Sequence, residues 1–291
     1  MEHLASLLRS LASLAWPFFA FTALFVFRLE IKQALSRLRK GEILGQKFEF
    51  TEELMKLEAS ATAASREVQE LPSEDRPTAS ADEFNATVDT VLQRAASTPK
   101  IALMILRAEL EKQTRQALAT RGLLGGRQAV PVSDALSELL QYGFPPNLTA
   151  SLKSFDDVVN KFIHGTSATD DDALRALDSG MTILRALNAL PNEVNIVYDP
   201  GVEVFSDAAA TKPISNAKGV ILETTAPGGA IKTVKIFPTT RTHFQKGKQV
   251  AWEWNLQKTW PEAWYRDPDT GAVKQAWVSS AEFIGRHLED I

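Results

Sequence analysis

Asn160 and His164 stand four residues apart in DDVVNKFIHG, so on a helix they share one face. His164 is one of only four histidines, with His3, His243 and His287. At a helix end an imidazole also has an ordinary use. A cation there is favoured by the helix dipole, and Gly165 follows as a C-cap. Asp170, Asp171 and Asp172 are acids of the kind that bind a divalent ion. Consecutive residues point in different directions on a helix, so a solvated first turn is the expected role. Trp252, Trp254, Trp260, Trp264, Tyr265 and Trp277 form a dense aromatic set. Trp252 and Trp254 are two apart, on one face of a strand, where they could line a ligand or partner groove. The core of a small β domain is the commoner use of such residues. Arg241, Arg266 and Arg286 lie nearby in sequence as candidate anion ligands, with no spacing that fixes such a site.

Much chemistry is excluded. The chain has no cysteine, which removes disulfides, thiolate metal sites and cysteine nucleophiles and fits a reducing compartment. No histidine pair has the HExxH spacing of a zinc site, and no phosphate-cradling GxxxxGK or GxGxxG loop occurs. GxSxG is absent too. No metal and no cofactor is therefore expected. The net charge of −4 is unlike the basic excess of a dedicated nucleic-acid binder.

The positioning elements follow from caps and periodicity. Thr51 caps a helix running through Glu70, with a thin apolar stripe that suits exposure or pairing with another copy. Leu71 to Asp82, with two prolines, reads as a linker. Ser97-Thr98-Pro99 opens a long helix that stops at Gly122. Ser133 caps a short helix ending at Gly143, Pro145-Pro146 opens the helix that carries Asn160 and His164, and Thr169 caps another that closes at Pro191. Short connections imply an antiparallel bundle. Beyond Pro191 the texture changes to β-branched and aromatic runs with APGG and DPDTG turns, a mainly antiparallel β domain with a short helix in SAEFIGRHLEDI.

A bundle of this size with N-x-x-x-H-G near the end of its third helix resembles the HEPN superfamily, closest to an uncharacterised bacterial branch with a membrane anchor before the bundle. IALMILRAELEKQTRQAL resembles the opening helix of that branch. The resemblance covers about residues 84–190, a third of the chain. It implies an antiparallel bundle that pairs as a dimer. It also implies, for many members, metal-independent ribonuclease activity, with an Arg holding phosphate and a His assisting attack by the ribose 2′-hydroxyl. His164 matches that His, and Asn160 matches the polar residue that often follows the Arg. The Arg position itself falls on Val159, and the allowed earlier positions are Val158 and Asp157. Without a guanidinium there is no bidentate phosphate clamp at that spot.

At the N-terminus, Leu11 to Phe27 (LASLAWPFFAFTALFVF) carries no charge. A bilayer core about 30 Å thick is spanned by roughly 20 apolar helical residues. Arg28, Lys32, Arg37, Arg39 and Lys40 follow the run, and only Arg9 precedes it. The positive-inside rule then predicts a single-pass bacterial inner-membrane protein with its C-terminal bulk in the cytoplasm. The expected fold class is α+β: extracytoplasmic end 1–9, transmembrane helix 10–28, juxtamembrane helices and linker 29–82, HEPN-like antiparallel helical bundle 83–191 and β-rich domain 192–291. The expected function is membrane-anchored binding or scaffolding, its place in stress or phage defence resting on the resemblance alone. Its expected partners are the lipid bilayer, a second copy and a protein of unknown identity. The alternative is a membrane-tethered ribonuclease acting on RNA through His164, with an Arg drawn from elsewhere, such as Arg107 or Arg115.

Overall fold

The computed structural model describes residues 50–71, 79–127, 130, 132–164, 168–227, 229 and 231–291. Residues 53–291 form one compact unit, and the other unit, residues 1–52, is described only at 50–52. The expectation of a transmembrane helix at 10–28 is corrected. Among the described residues no helix is long and apolar enough to cross a membrane, and residues 10–28 lie outside them. Over the described residues the fold is a mixture of helix and sheet. The single-pass inner-membrane localisation loses its support with the expected span.

The helical half begins with α1, helical over residues 50–69. Leu54, Leu57, Ala61, Ala64 and Val68 recur at helical spacing and are all buried. The thin stripe therefore packs inside the chain, where small side chains allow close approach. Then follow α2 (Ala79–Ala95), α3 (Pro99–Thr120), α4 (Val132–Gln141), α5 (Pro146–His164) and α6 (Asp170–Asn188). Starts are set locally. Pro99 stands at the first turn of α3, and Thr169 makes a capping box with Asp172 at α6. The amides of Asn147 and Leu148, at the start of α5, are met instead by the Glu67 carboxylate of α1, at 2.9 and 3.3 Å. That acid satisfies orphan N–H groups at the positive end of the dipole. At the far end Lys161 pairs with Glu53, so α1 and α5 run antiparallel. Arg121 over the Phe144 ring and Arg107 on Asn160 likewise set α3 antiparallel to α5. Helices α3, α5 and α6 meet at Gly180, where a Cβ would lie 2.4 Å from Phe155 and 2.7 Å from Leu106.

The texture change at Pro191 falls between α6 and β1. The strands are β1 (Val194–Val202), β2 (Val204–Phe205), β3 (Lys218–Thr225), β4 (Lys232–Thr239), β5 (Trp254–Trp260), β6 (Ala263–Arg266), β7 (Val273–Trp277) and β8 (Ser280–Phe283). All pairings are antiparallel, in the orders β1-β3-β4, β2-β6-β7 and β5-β8. The unbroken apolar run GVIL of β3 has a structural reason. Ile221 faces a core with Val204, Ile236, Trp260 and Trp277, while Val220 and Leu222 face another with Phe244, Val250 and Phe283. A strand buried on both faces needs apolar residues at every position. The expected helix in SAEFIGRHLEDI is corrected: Ser280–Phe283 is a strand, and only Leu288–Asp290 makes a 3₁₀ turn. Pairing with β5 overrides the helical composition of that segment, because Glu282 and Phe283 find buried places only as strand residues.

Alanine is the better helix former by about 1 kcal/mol. The crowding at Gly180 should outweigh that gain, so Gly180→Ala is expected to lower stability by about 1–3 kcal/mol. Urea unfolding checks this, and an unchanged or raised midpoint would show that Phe155 and Leu106 yield freely.

Candidate functional site

Val158 and Val159 are fully buried in the bundle, at 1 % and 0 % exposure. A cation could not be placed there without losing its hydration. Asn160, half-buried, turns instead toward α3. Its Oδ1 accepts from Arg107 Nη1 at 2.8 Å, and its Nδ2 donates to Asp156 Oδ2 at 3.1 Å. Arg107 Nη2 lies 2.7 Å from Asp156 Oδ1, and Arg107 Nε donates to Glu111 at 3.0 Å. One guanidinium thus serves two carboxylates and an amide, on a half-buried face. His164 is the last residue of α5 and is exposed. It lies one turn beyond Asn160 on the same side. Arg115, the other arginine considered for phosphate, donates from Nε to the Ile291 carbonyl at 3.0 Å. Asp172 accepts from the Thr169 amide and hydroxyl as part of the α6 cap, beside exposed Asp170 and Asp171. Among the described residues no group of three His, Asp or Glu could hold a metal ion.

Four tryptophans divide between the two β cores. Trp260 and Trp277 are buried in one, and Trp277 Nε1 donates to the Pro261 carbonyl at 2.8 Å. Trp252 and Trp254 are half-buried against the other. Their rings meet edge to face at 5.2 Å, and each packs on Phe237 and Phe283. Trp254 opens β5, whereas Trp252 precedes it and donates its amide to the Ala119 carbonyl of α3. Arg241 and Arg266 are exposed, and Arg266 Nη1 donates to the Gly271 carbonyl at 3.5 Å. Among the described residues neither arginine stacks on or bonds to Trp252 or Trp254, so these four do not form one site.

Two buried carboxylates escape the sequence reading. Glu253, at 4 % exposure, lies between the two tryptophans and faces the opposite way. Arg286 grips it with Nε at 3.0 Å and Nη2 at 2.6 Å. The amides of Gly126 and Arg286 add bonds at 3.2 and 3.3 Å, and Arg286 Nη2 also donates to the Arg127 carbonyl at 3.2 Å. Burial pushes the Glu253 carboxyl up, but the Arg286 hydrogen bonds and charge outweigh it and hold the group below its ordinary range. Glu282 is 2 % exposed and accepts from the Thr240 amide at 3.0 Å, the Thr240 hydroxyl and Asn255 Nδ2 at 3.1 Å. Desolvation opposes its ionisation, and these donors with Lys258 again leave it below the usual value. The available signal is a single acid inside an apolar run, WEW or AEF, which demands a partner. Neither carboxylate is open to a substrate. No family model, curated protein or solved structure matches the chain.

The ion pair at Glu253 has a defined pH signature. Its folded carboxyl titrates below the ordinary 4.5, so in the interval between the two values the unfolded chain binds more protons. The stabilisation is full above about pH 4.5 and is lost as pH falls through the folded value. Arg286→Met leaves the carboxylate buried without its cation and should cost about 3 kcal/mol near neutrality. The double variant Glu253→Gln/Arg286→Met should lose less, and Glu253→Gln should flatten the acid limb of stability against pH. Urea unfolding across pH checks all three, and an acid limb unchanged in Glu253→Gln would contradict the assignment.

Proposed function

We propose that this chain is a binding or scaffolding protein whose HEPN-like bundle performs no chemistry. The observation that carries the reading is the state of Arg107. It is the arginine that reaches the N-x-x-x-H face, and it is occupied by Asp156, Glu111 and Asn160. A phosphate entering there would meet two carboxylates already sharing one positive charge. A phosphoryl transition state needs uncompensated donors aimed at the developing charge, and this cluster offers none. The place expected for a phosphate-holding Arg is filled by core valines. The buried acids of the β region are closed structural pairs, which also favours recognition over catalysis.

One observation favours a ribonuclease as the second reading. Arg107 does bond Asn160, one helical turn from exposed His164. That geometry would serve RNA cleavage if the guanidinium were released from its carboxylates.

The two readings separate on the purified full chain. The wild type is expected to leave single-stranded RNA intact, with or without His164→Ala. Arg107→Ala strands Asp156 on a half-buried face and should cost about 1–2 kcal/mol of stability, seen in the thermal midpoint. His164→Ala, at an exposed helix end, should cost no more than about 1 kcal/mol. RNA cleavage that is lost in both folded variants would replace the scaffold with the enzyme.

A further inference from the structure

The sheet order β1-β3-β4 leaves β4 at an edge. The register shows what that edge presents. The Ala226 amide donates to the Ile231 carbonyl at 2.9 Å as the β3–β4 hairpin closes. Hydrogen-bonded and non-hydrogen-bonded pairs alternate from there. Thr224 with Thr233, Leu222 with Lys235, Val220 with Phe237 and Lys218 with Thr239 therefore exchange bonds with each other. Lys232, Val234, Ile236 and Pro238 direct their peptide groups outward. Pro238 has no N–H and so leaves no donor unmet at the closed end of the strand. There β8 lies alongside, through Thr240 and Glu282. At the other end Lys232, Thr233, Val234 and Lys235 are all exposed, with Val234 at 58 % and Ile231 at 63 %. Lys232 and Val234 thus offer two N–H and two C=O groups to a strand in solution.

The side chains say what that strand carries. Lys232 and Val234 project on one face and Lys235 on the other. Lys232 has one cross-strand partner, Glu223, at 2.9 Å. The segment Ile231–Thr239 contains no acid, so a second copy would bring two lysines against two lysines. Lysines on an edge oppose self-pairing, and they attract a strand of opposite charge.

We propose that the Ile231–Lys235 edge of β4 binds an extended acidic segment of a partner protein as an added antiparallel strand. This inference rests on the binding reading above and names its partner chemistry. In the antiparallel sense the segment reads acid, apolar, any residue, acid. The acids stand opposite Lys235 and Lys232, and the apolar residue stands opposite Val234.

The test uses the full chain and the capped peptide Thr-Glu-Val-Thr-Glu-Thr, followed by calorimetry and amide exchange. Binding is expected to slow exchange at the Lys232 and Val234 amides. It should weaken at least tenfold with salt, with Lys235→Glu or when lysines replace the peptide glutamates. N-methylation of the peptide valine, whose N–H points at β4, should abolish binding. N-methylation of the following threonine, whose N–H points away, should not. Val234→Pro, at an exposed edge position, should abolish binding while the thermal midpoint shows the fold retained. If that variant loses its midpoint, the N-methyl pair decides, because it needs no change in the protein. No binding, binding equally insensitive to both N-methyl peptides, or a Val234-dependent dimer in sedimentation would each overturn the proposal. Failure here leaves the RNA-cleavage test to decide the scaffold reading by itself, and RNA cleavage with peptide binding intact would reject the scaffold while keeping the edge.

Discussion

Glu253 is the point where the two halves of the compact unit are tied. Its carboxylate collects a bidentate guanidinium from Arg286 and an amide from Gly126, in the loop after α3. The same guanidinium returns to the Arg127 carbonyl. A charge this far from water is unfavourable by itself, and the arrangement is stable because the oxygens are met by four donors. The constraint is geometric as well as energetic. Glu253 can face the α3–α4 loop only if Trp252 and Trp254, its neighbours in an alternating chain, face the aromatic core. Trp252 is fixed in turn by its amide on Ala119 and by Gly122, whose positive φ lets the helix end come close to Trp252. The helical and sheet halves therefore share one register, and the Trp252–Trp254 pair is part of that joint.

The helices were legible because their signals are local. Pro99, Pro146 and Thr169 mark starts by removing or satisfying the first orphan amides, and they do so without reference to anything distant. The β3 run was legible for the same reason: four apolar residues between turns permit few other fates. What was not legible depended on partners far along the chain. SAEFIGRHLED has the composition of a helix, and only β5 makes its first part a strand. The α1 stripe looked thin because alanines carry little apolar area. Small size is also what lets α1 lie close against the bundle, with Glu67 reaching the start of α5. The apolar run before Arg28 was the most conspicuous local signal, and it lies outside the described residues.

The candidate site shows the same division. The four-residue spacing of Asn160 and His164 could be read from the helix period. That Asn160 serves Arg107, 53 residues earlier, could not. The sequence offered several arginines and no rule for choosing among them. Arg107 is selected by the antiparallel register of α3 and α5, which places it against both Asp156 and Asn160, one turn apart on α5. Once there, its charge is divided among neighbours that a phosphate would have to displace.

Binding free energy comes from interactions that the free protein leaves unmade or makes with water. By that criterion three polar clusters are closed: Arg107, Glu253 and Glu282 each have their partners within the fold. The aromatic core around Trp252 and Trp254 is filled too, because Phe237 and Phe283 pack against both rings. The outward peptide groups of Lys232 and Val234 differ in kind. Their hydrogen-bonding capacity is fixed in direction by the β3 pairing, so a strand that docks there loses ordering entropy on one side only. A sheet edge that ends in a proline at its covered end and in lysines at its open end is protected against itself. It is not protected against an acidic strand, and that asymmetry is what turns a folding safeguard into a selective surface.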